Sequence, residues 1–259
     1  MDQFKILGVK IDNLSKKEIY LKLEEFLESR ELNHIVTVNP EIILRAQEDP
    51  IFLKIINRAC LSVADGIGVR FAFWRFGRHL KCRLTGIDLT WKILELSNQK
   101  KLAILLVSNK NGLSTWQETR EAILKKYPDL KINGISIDPT AGHYDRSIEL
   151  AILKKKEGHI SYDVLLCNLG APHQEKFIAE LNRWSDWFCL AMGVGGSFDF
   201  ITGKVSRAPK FMRVLGLEWL WRVFSQPANK NEGFKFVFLR IRRVLKAIVI
   251  FPIRVLFNR

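Results

Sequence analysis

Along most of the chain, short apolar runs alternate with stretches whose apolar positions recur every three or four residues. Residues 34–38, 61–64, 102–107, 162–169 and 188–192 are runs rich in apolar residues, the pattern of strands covered on both faces. Amphipathic segments lie between them. Ser15 and Glu18 form a capping box that opens a helix whose apolar face uses Ile19, Leu23 and Phe26 or Leu27. Pro40 stands where a helix begins after the run at 34–38, a place where its missing N–H loses no helical bond. Asn111 and Gly112 precede a helix reaching Tyr127, and Pro172 opens another after 162–169. Strand and helix in alternation predict an α/β fold, a Rossmann-like, mainly parallel sheet with flanking helices.

The pattern changes towards the C-terminus. Residues 1–200 read as the α/β catalytic domain and 201–259 as an appendage, divided into a substrate-closing segment, 201–227, and a membrane-associating tail, 228–259. The tail opens on a polar linker, 228–233, and residues 234–259 combine bulky apolar residues and arginines without an acid. Val237, Ile241, Val244, Ile248 and Phe251 fall at helical spacing, with Arg242, Arg243 and Lys246 on the other side. Pro252 ends this helix in the sequence reading, with Arg254 and Arg259 beyond it. A basic amphipathic helix of this kind reads as lying on an anionic membrane. A helix docked on its own domain, or a contact in a homo-oligomer, is the alternative.

Composition narrows the partners. A chain of 259 residues with 47% hydrophobic residues can bury a substantial core. Its formal net charge of +14 calls for an anionic partner: nucleic acid, an acidic bilayer or a phosphorylated substrate. Nucleic acid is disfavoured, because no RRM, KH or helix-turn-helix signature is present. A dinucleotide oxidoreductase is disfavoured too, since no GxGxxG follows the first strand. The four cysteines form no CxxC pair and read as free thiols of a reducing compartment, and the five histidines lack ligand spacing. Neither a metal nor a cofactor is expected. The opening stretch is too polar for a secretion signal, and no window approaches the roughly 20 apolar residues of a spanning helix. The expected location is cytoplasmic, peripheral on the inner face of the cell membrane.

In an open parallel sheet, ligands collect at the carboxyl ends of the strands. Thr37 and Asn39 end one predicted strand, Asp65 follows another, Gly170 a third, and Gly193, Gly195 and Gly196 the last. Asp65, flanked by Gly66 and Gly68, is either a general base on an exposed turn or a helix N-cap. The last glycines let a ligand approach the backbone closely, and Lys204, Arg207, Lys210, Arg213 and Arg222 follow with Trp219 and Trp221 interleaved. That combination points to a phosphorylated substrate. The tryptophans read as helix packing.

Several blocks also carry a family resemblance. FDFITGKVSRAP followed by GLEWLWR resembles the signature of the WecG/TagA/CpsF glycosyltransferases. Thr37-Val38-Asn39-Pro40, the turn from Ala64 to Gly68, Arg83-Leu84-Thr85-Gly86 and Gly170-Ala171-Pro172 with Gln174-Glu175-Lys176 resemble further blocks of that family, in its order. The resemblance implies an inverting transfer of a hexose, N-acetylmannosamine or its uronate, from a UDP-sugar to an undecaprenyl-diphosphate-linked sugar. It implies Asp65 as the base that deprotonates the acceptor hydroxyl. Thr37 and Asn39 resemble the family's polar pair near the sugars, a reading slightly favoured over strand termination and capping before Pro40. Gln174 is a candidate partner of the uracil or a sugar amide, and Gly195 of the donor's phosphates.

A departing UDP needs a metal or fixed donors. No DxD-type acidic pair stands at a strand end, so metal-independent transfer is expected, with Arg83, Arg207 and Arg222 as diphosphate partners or else as solvated surface charges. The chain departs from the family twice: Ser108-Asn109-Lys110-Asn111-Gly112 replaces a glycine-rich loop, and Ala228-Asn229-Lys230-Asn231-Glu232 stands where relatives carry further arginines.

Overall fold

The computed structural model describes residues 2–140, 162–181, 187–214, 216, 218, 220–221 and 244–257. Two antiparallel strands, β1 (Gln3–Ile6) and β2 (Val9–Asp12), open the chain as a hairpin closed by Leu7 and Gly8, both with positive φ. The capping box of Ser15 and Glu18 then opens α1 (Lys16–Glu28), which buries Ile19, Leu23, Phe26 and Leu27 as its spacing predicts. There follow β3 (Asn33–Val38), α2 (Pro40–Glu48), α3 (Pro50–Asn57), β4 (Leu61–Ala64), α4 (Ile67–Arg75) and α5 (Gly86–Gln99). The second half adds β5 (Ile104–Asn109), α6 (Trp116–Leu124), β6 (Ile132–Ile137), β7 (Val164–Asn168), α7 (His173–Glu180) and β8 (Leu190–Gly193). Short helices α8 (Ser197–Ile201) and α9 (Lys210–Val214) come next, and a π-helical turn (Lys246–Ile250) runs into α10 (Phe251–Phe257).

The sheet has six strands in the order β4-β3-β8-β7-β5-β6, every neighbouring pair parallel. This is the predicted α/β architecture. Side chains of a strand alternate between faces, and the core divides accordingly. Ile35, Ile104, Leu106, Val164, Leu166, Leu190 and Met192 enter one apolar cluster with α1, α5 and α6. Val36 and Val38 join α2, α3, α4 and the hairpin on the opposite face. There Leu105, Val107, Leu165, Cys167 and Ala191 pack with Phe177 and Ile178 of α7. The hairpin lies beside the β4 edge, where the Asp12 carboxylate accepts the Ser62 N–H at 2.8 Å and so satisfies an edge donor.

The end of the tail departs from the sequence reading in two ways. Phe251, assigned to a membrane face, is fully buried together with Val255 in the cluster formed by α2, α4 and the hairpin. Gly68 permits this: a Cβ there would come within 2.5 Å of Pro40 Cγ and 3.4 Å of the Phe251 ring. The described end of the appendage is therefore part of the core, docked on its own domain. Nor does Pro252 end a helix. The preceding π turn sends the Phe251 N–H back to the Lys246 carbonyl, and the helix runs on through Pro252 as α10. The outer side of this segment remains apolar, with Ile248, Val249, Ile250, Ile253 and Leu256 exposed and Phe257 at 83% exposure. Val237, Ile241, Arg242 and Arg243 lie outside the described residues.

Candidate functional site

Parallel pairing of β3 with β4 sets Thr37 opposite Val63 and Val38 opposite Ala64, so the two chains leave the sheet side by side. The Asp65 N–H donates to the Val38 carbonyl at 2.8 Å, and the Leu84 N–H donates to the Ala64 carbonyl at 3.1 Å. Residues 37–39, Asp65 and the Arg83–Thr85 segment thereby meet at the carboxyl rim. The start of α5 faces the same place: from the Cα of Gly86 a Cβ would reach to 3.6 Å from Thr37 Oγ1, 3.8 Å from Ser197 Oγ and 3.9 Å from the Val194 carbonyl. Thr37 is largely buried there.

The cap position of α4 belongs to Gly66, with φ 84°, so Asp65 precedes the cap and does not occupy it. Asn39 does cap: its side-chain oxygen accepts the Ile42 N–H at 2.9 Å, opening α2 with Pro40 in the first turn. The capping alternative thus holds for Asn39, whatever its amide group does besides.

Gln174 sits at the rim but points inward, only 4% exposed. Its amide oxygen accepts the N–H of Gly170 at 3.2 Å and of Gly195 at 3.1 Å, and its Nε2 donates to Glu175 Oε1 at 2.7 Å. It staples the loop after β7 to the loop after β8. A Cβ on Gly193 would lie 2.4 Å from Gln174 Nε2, which explains the glycine at the last position of β8. Gln174 therefore builds the rim from within. Gly195, with φ 49°, takes part through its own N–H.

A set of cations gathers at the N-terminus of α5. Arg207 donates to Asp88 Oδ1 at 2.9 Å and lies 3.8 Å from Glu218. Arg83 donates to the Arg213 carbonyl at 2.7 Å. Gly216 lies against Ile67, and Trp221 Nε1 donates to the Ser206 carbonyl at 3.1 Å, so this part of the appendage folds onto the rim near Asp65. Burial pulls the Asp88 carboxyl up, but the hydrogen bonds from Arg207 and Thr85 and the charges of Arg207 and Arg213 outweigh it and hold the group below the usual carboxylate range. Arg207 Nε and Nη2 and Arg213 Nε are buried without a hydrogen-bond partner among the described residues. Buried donors of this kind, beside a helix N-terminus, suit an anion. Arg213 belongs to this group although the sequence reading left it among general cations. Arg222 lies outside the described residues.

Among the described residues no three His, Cys, Asp or Glu side chains are grouped so as to hold a metal ion. What the rim offers is a carboxylate on a turn, short polar side chains beside it, backbone amides in glycine loops, and guanidinium groups opposite.

The sequence profile described as the glycosyl transferase WecG/TagA/CpsF family matches residues 4–257. The chain belongs to that family. It is a glycosyltransferase, and the blocks that carried the resemblance are those that assemble the rim. Relatives agree over most of their length. An N-acetylglucosaminyldiphosphoundecaprenol N-acetyl-beta-D-mannosaminyltransferase of Bacillus spizizenii is 32% identical over 206 residues, 79% of this chain and 76% of the relative. Proteins of the same description from Bacillus subtilis (32% identical, covering 74% and 72%) and Staphylococcus aureus strain MRSA252 (32% identical, covering 84% and 82%) are similar to the transferase in the same way.

Proposed function

We propose that this transferase moves N-acetylmannosamine from a UDP-linked donor to N-acetylglucosaminyl-diphosphoundecaprenol, with inversion and without a metal ion. The observation that carries the reading is the meeting of Asp65, Thr37 and Asn39 with the Arg83 segment at one rim, in a chain whose relatives bear the name of this reaction. Asp65 takes the proton of the acceptor hydroxyl, and that oxygen attacks the anomeric carbon from the face opposite the leaving UDP. One C–O bond forms as the other breaks, so the configuration inverts. The charge that develops on UDP is met by the Arg83, Arg207 and Arg213 group, with Arg222 a further candidate. Thr37 and the amide group of Asn39 hold sugar hydroxyls.

An acceptor on a polyprenyl chain stays in the bilayer, so the enzyme must come to it. No described helix is long and apolar enough to cross a membrane. Exposed Ile253, Leu256 and Phe257 on α10 and Trp74 on α4, with Arg75 and Arg254 close by, form a surface suited to peripheral contact with anionic lipid. The deciding experiment measures UDP release from a panel of UDP-sugars with a short-chain lipid-diphosphate-N-acetylglucosamine acceptor, with and without EDTA. Acceptor-dependent release from UDP-N-acetylmannosamine that survives EDTA is the expected result. Release that needs a divalent ion would remove the metal-independent mechanism, and release from another donor would reassign the sugar.

A further inference from the structure

The hydrogen bonds of Gln174 raise the question of what holds its amide in place. Gly170 and Gly195 both present N–H donors, so the carbonyl end of Gln174 must face them and the NH2 end must face an acceptor. That acceptor is Glu175 Oε1 at 2.7 Å. Glu175 is itself 1% exposed, and its Oε2 is buried with no hydrogen-bond partner. Gly193 pressing on the Gln174 amide restricts the alternatives, since it leaves the side chain no slack on that side.

We propose that Glu175 is a positioning residue for the transfer: through Gln174 it fixes the amides of Gly170 and Gly195, and with them the two loops at the centre of the rim. The role rests on the reading of the rim as the transfer site. Only a neutral carboxyl does this without penalty. An ionised one, buried with an oxygen lacking a partner, draws water or a cation towards it, and admitting either shifts the first turn of α7 and Gln174 with it.

The surroundings agree. Burial pushes the Glu175 carboxyl up to about 7, against the pull of the Gln174 hydrogen bond and the charge of Arg45 on α2. Cys167 on β7 is a buried thiol pushed well up, by burial first. Lys176 on α7 is engaged with Asp49, the cap of α3, at 2.6 Å, and β8 brings only apolar side chains. His173 on α7 is held low by burial and by the charges of Arg45 and Lys176, and Lys54 of α3 is exposed. Arg45 is thus the cation nearest to hand when Glu175 ionises.

The test compares wild type with Glu175→Gln and Glu175→Ala, reading kcat and KM between about pH 5.5 and 9, and amide hydrogen exchange at Gly170 and Gly195 without substrate. Wild-type kcat is expected to fall above about 7, where Glu175 loses its proton. Glu175→Gln, neutral at every pH, keeps kcat within about threefold at low pH and removes that alkaline limb. Glu175→Ala lowers kcat about tenfold or more at every pH with KM little changed, and exposes both amides to exchange while the fold persists. An alkaline limb unchanged in Glu175→Gln, or amides in Glu175→Ala as protected as in wild type, would overturn the proposal. If none of the three proteins turns over yet the exchange pattern holds, the fault lies with the placement of the transfer site and not with the clamp.

Discussion

Arg207 holds Asp88 by a 2.9 Å hydrogen bond across the N-terminus of α5, and two other nitrogens of the same guanidinium lack a hydrogen-bond partner among the described residues. A carboxylate stands where an incoming phosphate has reason to bind. If the diphosphate competes with Asp88 for Arg207, the two residues affect UDP binding in opposite directions. Calorimetric titration should show Arg207→Ala weakening UDP about tenfold or more, the worth of a charge-assisted hydrogen bond. Asp88→Asn should tighten it a few-fold, while lowering stability by about 0.5–1 kcal/mol through loss of a negative charge at the start of α5. Equal UDP affinity in all three proteins would take Arg207 out of the site.

As the proposed base, Asp65 should separate chemistry from binding. Asp65→Asn keeps the shape of the turn that hangs from Val38 but cannot accept a proton. Turnover should drop by about 10²–10⁴-fold while UDP affinity stays within about twofold. A variant that turned over normally would move the base elsewhere.

Gly193 and Gln174 form a single packing unit. Gly193→Ala drives a methyl group to within 2.4 Å of Gln174 Nε2, and the loss of stability should be about 1–3 kcal/mol, read as a lower midpoint in urea. Combined with Gln174→Ala the two losses should fall short of their sum, because the second change removes the atom that the first one strikes.

The tail is divided between an inner and an outer side. Phe251→Ala opens a cavity among α2, α4 and the hairpin and should cost about 3–5 kcal/mol. Phe257→Ser, at a side chain 83% exposed, should leave thermal stability unchanged and reduce sedimentation with anionic vesicles. Unchanged vesicle binding in that variant combined with Trp74→Ser would dismiss this surface.

The sheet was legible because its central strands announce themselves: the runs at 102–107 and 162–169 are apolar on both faces, and capping chemistry at Ser15 and Pro40 marks where helices begin. The convergence of these segments was legible for the related reason that Thr37, Asp65 and Gly195 stand at or just past the ends of such runs. Harder to read were features that depend on partners distant in the chain. Nothing near Gln174 in sequence says that its amide serves Gly195, 21 residues away, and Phe251 shows the same helical spacing whether lipid or Gly68 covers it. The opening hairpin was missed because one of its two turn residues is Leu7, an apolar residue with positive φ, where asparagine or glycine is the usual signal. Arg207 showed the right type and place, but its pairing with Asp88 is 119 residues long and left no local trace.

Burial of Phe251 and Val255 has a topological consequence. Trp221 is hydrogen-bonded to Ser206, and Phe251 is wedged against Gly68. Both anchors are packed on the same body, one on either side of residues 222–243 in sequence. A single cut by a protease between these anchors would therefore leave a C-terminal piece still plugged into the hydrophobic interior, and the two fragments would travel together through a sizing column until a denaturant parted them.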